Sequence, residues 1–531
     1  MQQISADFPD GHPRRWAILG VLVTSLLVVV LDNTILNVAL KTIQISLSAT
    51  QSELVWAINS YIVVFAALLF TWGVLGDRYG RKRILVIGLL LFGVASALSA
   101  FAVSPTQLIV FRGLMGIGAA AVLPVTLAII TVIFPSSERG RAVGLWAGAV
   151  GAAIAIGPIL GGFLLEHFWW GSVFLVNVPV VILGVAGILA LVPETRDPTP
   201  RGIDPIGVPI SIVGLLMLVY GIVHGGDTRD WGSPGVLGWI VAGIVVLAVF
   251  VVYEIRSSHP SLDTALFRNA DFSVALTAVS LTFFALMGST FFLVFYLQVV
   301  RGLSPLQAGL CSIPVAVGQL ISAPFSSTLV ARFGARTVMT SGLTLVVMAF
   351  ALLLFIEVET PLWIFLVTYA LIGLGMGATV APATTRILAA LPPHRAGAGS
   401  AVQNTMRQVG GALGVAILGS VLSTVYGNQV LAAVGVLPAS TAGAASDSVG
   451  STYEIAAQLV REGVLTEAQG GALIDAANAA FIDAMNVVTI IVIAVLVTAA
   501  AVVFFFLPRH ADPGPEREPD IREAATQGAS A

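Results

Sequence analysis

Apolar runs of about 20 residues recur fourteen times in this 531-residue chain, a pattern that no soluble fold accommodates. A run of that length crosses a ~30 Å hydrocarbon core as a helix, because lipid offers the backbone no other hydrogen-bond partner. The runs are 17–40, 54–76, 84–104, 107–133, 141–165, 170–192, 206–223, 236–254, 273–299, 306–330, 336–356, 361–390, 398–424 and 487–507. Hydrophobic residues make up 57% of the chain and charged ones 10%, which fits a multi-spanning, all-α membrane protein. Arg14 and Arg15 precede the first run as in a signal peptide. That run is too long, contains Asp32 and lacks a cleavage site, so it reads as a span.

Several function classes drop out. The net charge of −3 and the absence of a long basic run leave no nucleic-acid partner. The two lysines, Lys41 and Lys82, follow Leu40 and Arg81, so no P-loop exists and no nucleotide partner is expected. Cys311 is the single cysteine and all six histidines read as loop or tail residues, so neither a disulfide nor a metal or other cofactor is expected. Without a nucleophile or metal cluster the chain does not read as an enzyme. Any work on a solute would draw on an ion gradient or another subunit.

Of the 25 lysines and arginines, 18 lie in the termini and even-numbered connections and four in the odd-numbered ones. This bias puts both termini in the cytoplasm of a multi-pass protein of the cell (inner or plasma) membrane. Leu75–Lys82, LGDRYGRK, is echoed by Leu329–Arg336, LVARFGAR, which marks two duplicated halves. The expected division is a cytoplasmic N-terminus (1–16), a six-helix bundle (17–192), an inserted helix pair with flanking loops (193–272), a second six-helix bundle (273–507) and a disordered cytoplasmic tail (508–531). The second bundle includes an external loop, 425–486, whose Ala-rich segments 451–464 and 466–485 predict a helical hairpin or lid.

The segment Gly73-Val-Leu-Gly-Asp-Arg-Tyr-Gly-Arg-Lys-Arg83 resembles the signature of the major facilitator superfamily. Gly73 permits close helix approach and Gly80 a tight turn, while Asp77 stands where its own helix end disfavours an anion. Asp77 therefore answers a cation or another helix's N-terminus, and with Arg78 and Arg81 it reads as a gate on the cytoplasmic side. Gly157-Pro-Ile-Leu-Gly161-Gly162 resembles the motif of the antiporter branches, with Pro158 removing a helical hydrogen bond and the glycines giving a close-packing face. Leu31–Leu40, Arg112–Gly118, Trp170–Pro179 and Tyr296–Pro305 resemble the fourteen-span drug:proton antiporters typified by staphylococcal quaternary-ammonium exporters, although Met115 stands where Gln is common. The resemblance implies the major facilitator fold, two six-helix bundles plus two extra helices. It also implies a proton gradient as the energy source and a central cavity between the halves.

Asp32 is the one acid well inside a span, and charges there mark pathways. Asp32 is the candidate proton carrier and Arg112 its modulator, on helices that are neighbours in the superfamily fold. Relatives that export dications carry acids where this chain has Asn59, Gln319 and Gln403 or Asn404. Neutral, monocationic or zwitterionic amphiphiles are therefore the expected substrates. Candidate cavity residues are Asn33, Asn37, Asn59, Phe292, Tyr296, Gln298, Asn404 and Arg407, the last a buried cation with no assignable acid. The expected function is proton-coupled efflux of amphiphilic drugs by alternating access, with the bilayer, protons and a small amphiphile as partners and a monomer sufficient. Rival readings are an exporter of one metabolite, antibiotic or lipid, and a non-transporting membrane sensor.

Overall fold

The computed structural model describes residues 11–196, 206–257, 264–390, 396–434, 437 and 439–508. Every regular element among them is helical. The first half holds α1 (Arg15–Leu47), α2 (Gln51–Tyr79), α3 (Arg81–Ala100), α4 (Pro105–Ile133), α5 (Ser136–His167), α6 (Ser172–Leu175) and α7 (Asn177–Leu191). Two further helices follow, α8 (Gly207–Thr228) and α9 (Pro234–Arg256). The second half runs from α10 (Ala270–Phe295), extended by a π-helical turn to Val300, through α11 (Pro305–Leu310), α12 (Ile313–Phe333), α13 (Ala335–Leu353) and α14 (Leu362–Ala389). It closes with α15 (Ala396–Val434), α16 (Ala439–Ala445), α17 (Val449–Arg461) and α18 (Glu467–Phe506).

Thirteen helical stretches among the described residues are long and apolar enough to cross a membrane. The remaining expected span, 141–165, falls in α5, part of which lies outside the description of side chains. Two expected spans are interrupted, 170–192 between α6 and α7 and 306–330 between α11 and α12. The largest difference concerns the last span: α18 starts twenty residues before 487 and runs unbroken for 40 residues. Its Ala-rich first half contains no proline, so the segment before 487 and the span fuse into one rod of about 60 Å. The expected arm 451–464 corresponds to α17. The expected tail, 508–531, lies outside the described residues apart from Pro508.

Local chemistry sets the breaks. Thr50 caps α2 in a reciprocal box with Glu53, and Ser304 with Gln307 and Thr466 with Gln469 do the same for α11 and α18. The turn between α2 and α3 passes through Gly80 at φ 111°, and the turn between α12 and α13 through Gly334 at φ 82°. Both positions need a residue that tolerates positive φ, and they occupy the same place in the repeated segment. The repeat is thus a repeat of a backbone turn.

Helices alternate between a face that carries the termini and a distal face. The two halves are pinned together distally. Gln298 Nε2 donates to Val38 O (2.8 Å), Lys41 Nζ donates to Gln298 O (2.5 Å), and Gln44 Nε2 donates to Ser448 Oγ (2.8 Å). The Gln51 amide donates to Asp447 Oδ2 (3.0 Å), and Gly162 and Pro158 of α5 lie directly on Leu306 and Gly309 of α11. Among the described residues the one other hydrogen bond between halves is Thr405 Oγ1 to Ala66 O (3.4 Å), midway along α2.

Candidate transport site

Asp32 and Arg112 meet inside the first half. Arg112 Nη1 donates to Asp32 Oδ2 at 2.5 Å, with each side chain 1% exposed. The other carboxylate oxygen accepts from Asn177 Nδ2 (2.9 Å), which also donates to Ser96 Oγ (3.1 Å), and Ser96 donates to Phe174 O (2.8 Å). Four helices, α1, α3, α4 and α7, thereby converge on one carboxylate. Arg112 also donates from Nε to Ala57 O (3.3 Å), and its guanidinium lies 4.3 Å from the centroid of the Tyr61 ring. A buried charge survives only when paired and fully hydrogen-bonded, and this arrangement supplies both conditions.

The sequence around Arg112 makes the approach possible. A Cβ on Gly116 would lie 2.6 Å from Tyr61 O, so glycine lets α4 settle against α2 with the guanidinium over the ring. Gly118 does the same against Phe92 of α3. Met115, where similar sequences commonly have Gln, places its Sδ 3.4 Å from Ser99 Oγ and 3.9 Å from Arg112 Nη1. Asn33 donates to Tyr61 Oη (3.1 Å) and Asn37 to Asn33 O (3.4 Å), so both belong to the network around the pair.

The gate motif folds onto its own half. Asp77 Oδ1 accepts from Arg81 Nε and Nη2 (2.9 and 2.7 Å) across the Gly80 turn, at the N-terminus of α3. The Arg81 amide donates to Thr195 O, Lys82 Nζ to Leu189 O, and Arg83 pairs with Glu194. Arg78 lies over Tyr79, and Gly73 packs near Pro124 of α4. Among the described residues none of these groups bonds to the other half.

In the antiporter motif, Cβ atoms at Gly157 and Gly161 would collide with Thr34 and press on Ile35 of α1. Gly162 faces the other way, onto Leu306. One turn set therefore contacts α1 and the opposite half at once. Gly410-Gly-Ala-Leu-Gly414 in α15 reproduces this pattern: Cβ atoms at Gly410 and Gly414 would strike Ser280 O and Phe284 O of α10. Sequence reasoning missed this second copy, although its Gly-x-x-x-Gly spacing was visible.

The expected cavity residues do not stay together. Phe292 is fully buried, and Tyr296 turns into the second half, donating to Glu357 O (2.8 Å) and stacking on Phe365. A π-helical turn covers Tyr296–Val300. Gln298 belongs to the distal seal. Asn59 is wholly buried with neither amide atom bonded, and Asn404 and Arg407 are half-buried on α15. A second buried ion pair went unforeseen: Arg386 Nη1 donates to Asp271 Oδ1 (2.9 Å), joining α14 to α10. Asp271 sits just outside its apolar run, where an acid does not stand out.

Comparison with known proteins agrees with this architecture. The sequence model of the Major Facilitator Superfamily matches residues 22–415. The multidrug efflux pump LfrA of Mycolicibacterium smegmatis is 37% identical over 84% of this chain and 88% of its own. The tetracenomycin C resistance and export protein of Streptomyces glaucescens is 31% identical over 96% and 94%. The methyl viologen resistance protein SmvA of Salmonella typhimurium is 33% identical over 84% and 90%. A solved bacterial homologue of the human lysosomal transporter Spinster, inward-facing and unoccupied, superposes with a TM-score of 0.64 at 18% identity, covering 95% of this chain and all of that one. With the repeated turn, the paired halves and a family match that spans both, the chain belongs to the major facilitator superfamily.

Proposed function

We propose that this chain is a proton-coupled exporter of small amphiphilic compounds, working by alternating access, with Asp32 as its proton carrier. The observation that carries this reading is the Asp32–Arg112 pair, buried at 1% exposure and braced by Asn177. The names of the relatives, a multidrug efflux pump and two resistance proteins, support export as its direction. A proton arriving at Asp32 cancels the charge that holds Arg112 Nη1. The guanidinium then keeps Ala57 O, the Tyr61 and Phe174 rings and weak contact with Met115 Sδ. That loss of a bond between α1 and α4 biases one facing state over the other.

In this reading the termini are cytoplasmic, the protein resides in the inner membrane, and the distal seal is the external gate. The conformation described here is then inward-facing. The proton gradient replaces any bound cofactor, no chemical reaction is catalysed, and a monomer is sufficient. The halves 17–192 and 273–507 rock against each other with 193–272 as an inserted pair.

The test is ethidium efflux from vesicles under a proton gradient, comparing the native chain with Asp32→Asn at equal expression. Gradient-dependent efflux lost in the variant is the expected result; equal efflux in both removes Asp32 from the role. A second reading, export of one natural product, is favoured by the relative named for tetracenomycin C, which matches across 96% of this chain. Competition between chemically unrelated compounds separates the two.

A further inference from the structure

Three arginines lie within the spans, and two of them face carboxylates: Arg112 on Asp32 and Arg386 on Asp271. Arg407, about eleven residues into α15, has none among the described residues. Its guanidinium lies 5.1 Å from the centroid of the Phe283 ring of α10, and its buried Nε finds no acceptor. Neither α14 nor α15 contains an acidic residue. The acid of α10, Asp271, sits twelve residues before Phe283, about 18 Å along the axis, and is committed to Arg386. The acids of α2, Glu53 and Asp77, lie at its two ends.

Arg407 does not face lipid. It shares a side of α15 with Asn404 and Gln408, while the other side carries Met406, Val409, Leu413 and Ile417. On the same turn Thr405 bonds to Ala66 of the opposite half, so this stretch of α15 borders the division between halves. Phe283 and Phe284 of α10 are half-buried beside this stretch, whereas α10 is continuously buried from Phe291 to Val300, at the distal seal. An intramembrane cation without a protein anion is costly unless something else answers it.

We propose that Arg407, backed by the Phe283 ring, is the subsite for an acidic group on the exported compound: a carboxylate, phenolate or sulfonate joined to an aromatic or apolar body. This rests on the export reading and replaces the neutral, monocationic or zwitterionic class expected from the sequence with an acid-bearing one. The apolar body lies along Phe283, and the acid accepts from the guanidinium N–H groups that the protein leaves unbonded. Asp32 does not compete for the arginine, because Arg112 and Asn177 already occupy its oxygens. Ser280, whose buried hydroxyl also lacks a partner, lies on the same seam between α10 and α15.

The experiment measures equilibrium binding of 2-naphthoate, 2-naphthalenemethanol and 2-naphthylmethylammonium to the full chain in phosphatidylcholine nanodiscs, without a pH gradient. The native chain is expected to bind the acid most tightly. Arg407→Gln is expected to weaken the acid about tenfold or more, the scale of one lost charge-assisted hydrogen bond, while the alcohol is unchanged and the ammonium is unchanged or tighter. Arg407→Lys is expected to retain most of the preference, which separates a charge effect from misfolding. Equal weakening of all three probes by Arg407→Gln, or no preference for the acid in the native chain, overturns the proposal. Failure of the native chain to move any amphiphile under a gradient sinks the export reading instead, and leaves the order of binding to stand by itself.

Discussion

At the scale of single residues, the Asp32–Arg112 pair is asymmetric in what its loss exposes. Asp32→Asn leaves a buried guanidinium with no anion, and breaking one side of such a pair costs about 3–5 kcal/mol. Replacing both partners, Asp32→Asn with Arg112→Met, removes the stranded charge and is expected to recover more than half of that loss. Thermal unfolding in detergent checks the order, and a double variant no more stable than the single would show that the pair is not the source of the loss. Asn177→Leu takes one donor from the carboxylate and one from Ser96, and is expected to cost about 1–3 kcal/mol in the same assay. Asp32 and Arg112 were legible in the sequence because a charge in an apolar run announces itself. Asn177 was not: an uncharged amide beside Val178 and Pro179 reads like any span residue, and only the folded chain shows it under Asp32. Phe292 and Tyr296 were hard to place for the opposite reason. Aromatic rings suit lipid, core and cavity alike, so their presence carries no direction.

At the scale of elements, glycine spacing decides which helices touch. Gly414→Val would drive its side chain into the α10 backbone at Phe284, and overpacking of that kind costs about 1–3 kcal/mol. Gly113→Ala is the matched control, since nothing lies within 4 Å of a Cβ there. A loss of melting temperature in the first variant and none in the second is expected; parity would mean that the α10–α15 seam relaxes freely. The distal segment 439–461 adds a pH-sensitive element. Burial pushes the Asp447 carboxyl above the usual carboxylate range, opposed by the Gln51 amide, with Asp227 and Glu53 adding repulsion and Arg229 relieving it. A raised carboxyl favours its protonated form when docked. The docking penalty is therefore present above the raised value and relieved as pH falls through it towards the ordinary range. Amide exchange in 439–461, corrected for intrinsic rate, is expected to show stronger protection as pH falls through that window, and Asp447→Asn to abolish the trend. The helical character of this segment was legible from its Ala-rich, amphipathic sequence. Its attachment to α1 and α2 was not, because Gln44–Ser448 and Gln51–Asp447 join residues about 400 positions apart.

At the scale of the whole molecule, the interactions divide into those that hold each half rigid and those that hold the halves together. The first group is large and buried: the Asp32 network, the Asp271–Arg386 pair and two glycine seams. The second is a short set of mostly distal polar bonds, backed by close packing of α5 on α11, and each such bond contributes only about 0.5–1.5 kcal/mol net. A carrier of this construction can rock without melting, because opening the seal breaks few bonds while each bundle keeps its own core. The duplication itself was visible in the sequence through the echo of Leu75–Lys82. Which face is closed was not, since facing is a small difference between two packings of one chain. The seal is therefore the place where population should respond to small changes. Lys41→Ala with Gln298→Ala removes the bonds from Lys41 to α10 and from Gln298 to α1. Spin labels at Phe101 and Phe355, exposed distal positions at the ends of α3 and α13, report the spacing between halves once Cys311 is replaced by Ser. Loss of about 1 kcal/mol per bond corresponds to roughly a fivefold change in population for each. The double variant is expected to gain a longer distal distance that the parent chain lacks or holds only as a minor peak. An unchanged distance distribution would mean that α5 against α11, through Gly162 and Gly309, holds the seal without help from the polar bonds.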